Sequence, residues 1–122
     1  MKKTDPRLQP WLDLGIELEE LDRFMRMHNL APTITSPNGK VSFLDSGGAV
    51  AQRIREIKMN QWTWFGWKRD RIEGEISGKL HTFQRWIAEG FFFGCDETEV
   101  GREMLERIEK IEHKFKQLTE MR

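Results

Sequence analysis

The chain has few of the features that would place a protein in a membrane or outside the cell. Its 122 residues include one cysteine, Cys95, so no internal disulfide can form and a reducing compartment is indicated. The longest apolar run, residues 91–93, is far shorter than the about 20 residues of a membrane-spanning helix. The basic start at residues 1–3 is typical of a signal peptide, but Asp5 and Pro6 follow it and no apolar stretch comes next. We therefore expect a soluble, cytoplasmic protein.

An excess of charge of either sign is also missing. The 20 lysine and arginine residues balance 20 aspartate and glutamate residues, so the formal net charge is zero. This balance argues against a protein that coats nucleic acid by bulk electrostatics, and against an acidic mimic of DNA. Charged residues still make up 33% of the chain, above the average of about 25%. Such a composition is typical of helices with one buried stripe and a solvated opposite face.

Residue patterns that carry catalysis or bind metals and cofactors are absent from the sequence. The histidines His28, His81 and His113 stand in no metal-binding spacing, and there is no pair of cysteines. Residues 47–48, both glycine, lack the following lysine of a phosphate-binding loop, and no G-x-S-x-G motif exists. We therefore predict no catalytic residue, no metal and no cofactor, and a protein that is not an enzyme.

The first third of the chain predicts a helix and then a β-hairpin. Apolar residues recur every three or four positions from Trp11 to Asn29, and Pro32 prevents the helix from continuing. Residues 33–43 contain β-forming residues on both sides of a dense turn signal at 36–39. We interpret them as a small hairpin in which residues 38–39, Asn-Gly, supply the positive φ angles of a tight turn. An irregular loop is the alternative.

Longer helices are predicted in the remainder. Helical spacing of apolar residues from 49 to 89 fits one long helix, or two helices separated by a break between Asn60 and Gly66. We favour the break, because a helix of about 40 residues is rare in a small domain. Gly90 is a typical helix end, and Asp96 starts a capping box for a last helix that runs to about Glu120.

These elements predict a single, mainly α domain over residues 1–122, with residues 1–9 as a flexible N-terminal tail. The expected architecture is a bundle of three to five helices, with long antiparallel helices and one small β-hairpin at about residues 33–43. The long second helix and the last helix should be antiparallel neighbours. The last helix also has heptad-like spacing, so residues 97–120 either pack on the second helix or form a homodimer with another copy.

The most unusual part of the sequence is residues 51–71, which we call the basic–aromatic segment. Six basic residues and two acidic residues give it a local charge of six minus two, or +4, and four large aromatic residues lie between 62 and 67. On a helix these four rings would surround the axis, so at least some must be buried. They bury either in the protein's own core or against a partner.

Two functions fit these observations. The first is a non-enzymatic helical protein-interaction module: a small adaptor, regulator or inhibitor that docks on a larger, nucleic-acid-processing protein. The missing catalytic residues, the surplus of aromatic residues and the balanced charge favour it. A small regulator encoded by a phage or another mobile element is one form that we expect. The residues expected to contact the partner are Trp62, Trp64, Trp67, Phe91 and Phe92.

The alternative function is a nucleic-acid-binding module that uses the basic–aromatic segment. Cationic side chains would hold phosphates while aromatic rings stack on bases. The residues expected to contact phosphates are Arg53, Lys58, Lys68, Arg69 and Arg71.

Overall fold

Four α-helices and one β-hairpin make up the part of the chain that the computed structural model describes, residues 9–60 and 66–120, with the backbone alone given at 57–60 and 66–69. The elements are α1 (Gln9–Met27), β1 (Thr33–Thr35), β2 (Val41–Phe43), α2 (Gly48–Asn60), α3 (Gly66–Ala88) and α4 (Glu99–Glu120). The predicted mainly α bundle with a small hairpin is thereby confirmed. None of the described helices is long and apolar enough to cross a membrane. The tail predicted at residues 1–9 lies, except for Gln9, outside the described residues.

Helices α2 and α3 lie side by side and antiparallel. The Arg53 Nε donates a hydrogen bond of 2.7 Å to the Glu75 Oε2, across 22 positions of sequence. In one straight helix these residues would be about 33 Å apart. The chain therefore reverses between Asn60 and Gly66, and the favoured break is confirmed over the single long helix.

Helix α1 packs on α2 along one side and on α4 along another. Towards α2, the bare backbone of Gly15 faces Ile54, whose Cδ1 lies 3.3 Å from the position that a Cβ would occupy. Towards α4, the rings of Trp11 and Phe115 meet edge to face at 6.2 Å. Helices α2 and α4 also contact α3, so the four helices surround one core.

The main partner of α4 is α1, and α3 is only its secondary partner. The predicted contact of the last helix with the long helix before it is thus present, and the larger contact with α1 adds to it. Its seam residues Met104, Ile108 and Ile111 are buried within the monomer and belong to the common core. Intramolecular packing thus explains the heptad-like spacing, and a homodimer through residues 97–120 would have to form without these side chains.

The start of α4 also differs from the prediction. The capping box at Asp96 is not formed, because Asp96 lies in a short 3-10 turn, Cys95–Glu97, and α4 begins at Glu99. Thr98 caps the helix instead: its Oγ1 accepts a hydrogen bond of 3.0 Å from the Gly101 N–H, an amide that lacks a partner inside the helix. The 3-10 turn thus lengthens the segment that joins α3 to α4, residues 89–98, which we call the connector.

The β-hairpin is confirmed, with β1 and β2 antiparallel, but only one of the two positive φ angles predicted for its turn is present. Ser36 N–H donates to Lys40 O at 2.8 Å, which encloses a three-residue loop. Of the loop residues only Gly39 has a positive φ, 83°. Asn38 instead accepts a hydrogen bond from Lys40 N–H through its Oδ1, at 3.1 Å. All six strand residues are exposed, so both faces of the hairpin lie in solvent.

Candidate protein-docking site

The carboxyl end of α3 fixes the direction in which the connector leaves the helix. Phe91 N–H donates to Trp86 O at 3.0 Å, and Gly90 N–H donates to Ile87 O at 3.1 Å. This pair of bonds is the Schellman motif, which needs a residue in the left-handed region after the helix. Gly90 has a φ of 83° there, a conformation that costs glycine little. The helix end predicted at Gly90 is confirmed.

The three consecutive phenylalanines of the connector have different environments. Phe92 is 6% exposed, and its ring packs edge to face on Trp86 with 6.3 Å between centroids. Phe91 is 48% exposed and Phe93 is 94% exposed. Phe93 N–H donates to Gly90 O at 3.1 Å, so its backbone is held in a turn while its ring lies in solvent. The buried Phe92 therefore anchors the connector, and it is corrected from an expected docking residue to a core residue.

An aromatic stack supports this anchor from inside the bundle. Trp86 meets Phe83 edge to face at 5.5 Å, so the rings of Phe83, Trp86 and Phe92 form a continuous row. Edge-to-face pairs contribute about 0.5–1.5 kcal/mol each beyond their buried area. The Lys79 Nζ lies 4.6 Å from the Trp86 centroid and 5.2 Å from the Phe83 centroid. The Lys79 ammonium group therefore lies over the rings of Phe83 and Trp86, and the third ring of the row, Phe92, belongs to the connector.

Lys79 links this aromatic row to the loop before α2. Its Nζ donates a hydrogen bond to the backbone oxygen of Asp45 and lies 3.6 Å from the Asp45 Oδ2. Burial lowers the pKa of Lys79, and the nearby Asp45 carboxylate opposes that shift. The lysine is thus a buried structural cation that is held by one loop and two rings.

The free energy of unfolding is expected to rise at alkaline pH as Lys79 loses its proton. A lysine whose pKa is lowered by folding binds fewer protons in the folded chain than in the unfolded chain. The stabilisation therefore grows from that lowered pKa up to the ordinary value of 10.5. Denaturant unfolding of a Cys95→Ser protein, with and without Lys79→Met, measures this effect, and the protein that keeps Lys79 should show the steeper rise.

The Cys95→Ser background is needed because the thiol acts with the opposite sign. Burial raises the pKa of Cys95, and the Asp96 carboxylate adds to that shift. Above the thiol's ordinary pKa of 9.0 the folded chain keeps a proton that the unfolded chain has lost, so stability falls with pH. The sequence contains no tyrosine, whose phenol would titrate in the same range. Identical slopes with and without Lys79 would contradict the assignment.

Three exposed apolar side chains lie in the connector or in the last turn of α3 before it, and we call them together the connector patch: Ile87, Phe91 and Phe93. Sequence reasoning included Phe91 but missed Phe93 and Ile87. The sequence carried no signal for this choice, because three identical residues in a row are equally apolar. The segment also folds as consecutive turns, so the alternating sides of an extended strand do not apply to it.

The comparisons with known proteins give no relative. No protein-family model, curated protein or solved structure matches the chain. Its function is therefore inferred from its own residues.

The other residues expected to dock are Trp62, Trp64 and Trp67. Trp62 and Trp64 lie outside the described residues, and Trp67 is near the start of α3 with only its backbone described. Helix α3 has 23 residues, so Trp67 and the connector are roughly 30 Å apart along its axis. The backbone of Trp67 and that of Phe91 therefore lie towards opposite ends of α3.

The residues expected to bind nucleic acid are partly used within the chain. Arg53 is paired with Glu75, and its neighbour Arg55 is paired with Glu19. Arg71 is exposed and lines a groove of about 560 Å³ between α2 and α3. The remaining expected contacts, whose side chains lie outside the described ones, are Lys58, Lys68 and Arg69. Two of the basic groups that create the local positive charge are thus neutralised by glutamates.

Acidic and basic side chains elsewhere also pair with one another. A groove of about 370 Å³ between α1 and α4 is lined by Glu17, Glu20 and Lys110, among others. Glu17 is bonded to Lys114 across this interface. Within residues 9–56 and 70–120, no group of three or more His, Cys, Asp or Glu side chains is placed to hold a metal ion.

Proposed function

We propose that the protein is a non-enzymatic helical interaction module, a small adaptor, regulator or inhibitor that docks on a larger protein through the connector patch. The contrast between Phe93, 94% exposed, and its neighbour Phe92, 6% exposed, carries this proposal. Burial of a phenylalanine side chain is favourable by about 1.5–3 kcal/mol. In the free chain the ring of Phe93 lies in solvent, so this free energy is gained only when a partner buries the ring in an apolar pocket.

The local structure prepares the patch for binding. The Schellman motif, the turn that holds Phe93 and the buried ring of Phe92 fix the backbone that carries the exposed rings. A backbone that is already ordered loses little conformational entropy when it binds. The connector patch is therefore suited to insertion of a phenyl ring into a preformed pocket.

Charged residues border the patch on both sides. Arg85 and Glu89 form an ion pair of 3.8 Å near the end of α3, and the exposed Asp96 and Glu97 follow the patch. An apolar centre with a charged rim is the usual anatomy of a transient protein interface. A partner with an apolar pocket and basic residues beside it would match the acidic side of this rim.

The double variant Phe91→Ser/Phe93→Ser is expected to lose the partner while keeping its fold. Affinity capture from a lysate of the native host, read by mass spectrometry, should recover a larger protein with the wild-type chain and at least about tenfold less with the variant. Ile16→Ser, which changes an exposed apolar residue of α1, is the matched control and should capture as the wild type does. Equal recovery by the double variant and the wild type would refute docking through the connector patch.

The nucleic-acid alternative is supported by the exposed Arg71 beside the groove between α2 and α3. It predicts that oligonucleotides quench tryptophan fluorescence in a saturable way that weakens steeply with salt. It also predicts that Lys68→Ala/Arg69→Ala/Arg71→Ala abolishes this response. Docking through the connector patch predicts no saturable response to single- or double-stranded oligonucleotides.

A further inference from the structure

Strand β2 leaves an open edge on the hairpin. Leu44 N–H donates to Pro32 O at 2.7 Å, so Leu44 and Pro32 are a hydrogen-bonded pair of the antiparallel ladder. The next pair, Phe43 and Thr33, is then a pair without hydrogen bonds between its members. Because inward and outward groups alternate along a strand, Val41 and Phe43 direct their N–H and C=O groups away from β1. In the described part of the chain, no hydrogen bond to these outward groups is formed. Such a row of free donors and acceptors is a template for another strand.

The opposite edge of the hairpin has the same alternation. Thr33 and Thr35 direct their N–H and C=O groups away from β2, as Val41 and Phe43 direct theirs away from β1. Pro32 lies opposite Leu44 in the ladder, so its missing N–H faces β2 and leaves the outer edge unchanged. Both edges thus offer free backbone groups in the described part of the chain, and the side chains of each strand decide between them.

We propose that β2 pairs with β2 of a second copy of the chain, antiparallel, about a two-fold axis at Ser42. In this register Val41 lies opposite Phe43 of the second copy, and both residues direct their backbone groups towards each other. Each such pair exchanges two hydrogen bonds, so the two pairs form four bonds and satisfy all the outward groups of the strand.

The side chains of β2 are complementary to themselves in this register, which favours a second copy over an unrelated strand. Val41 and Phe43 lie on the same face, and both are exposed in the monomer. Pairing places a β-branched side chain opposite an aromatic one, a favourable cross-strand combination. On the other face Ser42 meets Ser42, where close approach needs small side chains. Lys40 falls opposite Leu44, so no like charges face each other.

The resulting sheet has four strands in the order β1-β2-β2-β1. Two-stranded sheets are only marginally stable, whereas three or more strands support one another. The contact is small, below about 1,200 Å² in total, so the dimer is weak and reversible, with a dissociation constant of roughly 0.1–1 mM. This surface shares no residue with the connector patch. The dimer presents two connector patches, and a larger partner with two pockets would bind it with added avidity.

Sedimentation analysis of the full chain over a concentration series tests the dimer. The mean mass of the wild type should rise from 14.5 kDa towards twice that value between about 20 µM and about 2 mM. Val41→Pro removes an outward N–H of β2 and should stay monomeric. Thr35→Pro is the matched control, because Thr35 lies opposite Val41 and its N–H points out from β1. It should associate as the wild type does.

A pair of charge variants tests the position of the two-fold axis without disturbing the hairpin. Ser42→Arg and Ser42→Glu each place like charges opposite each other, so each alone should associate at least about tenfold more weakly than the wild type. An equimolar mixture should associate at least as well as the wild type, because arginine then faces glutamate. A wild type that remains at 14.5 kDa throughout, or a mixture no better than its components, would overturn the proposal.

Discussion

Phe92→Ala is expected to destabilise the bundle by about 3–5 kcal/mol, which is a large part of the about 5–15 kcal/mol that stabilises a typical domain. The side chain is 6% exposed and packs on Trp86, so its removal leaves a cavity between the connector and the aromatic row. Urea unfolding followed by far-UV circular dichroism measures the loss. The midpoint should fall sharply, and the tryptophan emission of the remaining folded protein should shift towards that of a solvated indole.

Phe93→Ala is the matched control for this experiment. It deletes the same atoms from the next residue, but that ring is 94% exposed, so the free energy of unfolding should change by no more than about 0.5 kcal/mol. Both variants lose the same atoms, so the difference between their free energies of unfolding measures the effect of burying the ring. Equal destabilisation by both would mean that Phe92 does not anchor the connector, and the proposed presentation of Phe93 would lose its basis.

Gly101→Ala is expected to have the second largest effect, a destabilisation of about 3 kcal/mol. A Cβ at this position would lie 1.9 Å from the Cys95 O and 2.6 Å from the Cys95 C. Both are backbone atoms of the 3-10 turn, so no side-chain rotation relieves the contact. The first turn of α4 would have to move away from the connector, and the hydrogen bond between Gly101 N–H and Thr98 Oγ1 would weaken.

Gly78→Ala is the control, and it is expected to raise the free energy of unfolding where Gly101→Ala lowers it. No atom lies within 4 Å of the added Cβ, and Gly78 is exposed in the interior of α3. Replacement of glycine by alanine in such a position stabilises a helix by about 0.5–1 kcal/mol. Chemical denaturation of both variants compares the two sites directly. A Gly101→Ala protein as stable as Gly78→Ala would contradict the close approach of α4 to Cys95.

The elements of this fold were predictable because their signals are local. The apolar spacing of α1 and α4, the glycine after α3 and the turn residues of the hairpin each act within a few positions of sequence. The neighbours of the helices were less predictable. Which helix α4 packs on depends on the reversal between Asn60 and Gly66, and the periodicity of residues 49–89 alone was compatible with one helix or two.

The site was predictable in composition but not in arrangement. A run of three phenylalanines indicates an apolar connector, yet its periodicity cannot show which ring is buried. That choice follows from the direction in which the Schellman motif sends the chain towards Trp86. The cap of α4 is a similar case: Asp96 and Thr98 are both good capping residues, and the 3-10 turn decides between them.

Photo-crosslinking from position 93 tests the central claim, docking through the connector patch, most directly. Phe93 is replaced by p-benzoylphenylalanine, which the exposed position accommodates, and the protein is irradiated in its native host. The same replacement of His81, an exposed residue of α3, is the control. We predict a discrete adduct with a larger protein from position 93 that is absent from position 81. The same adducts from both positions, or none from position 93, would contradict the account.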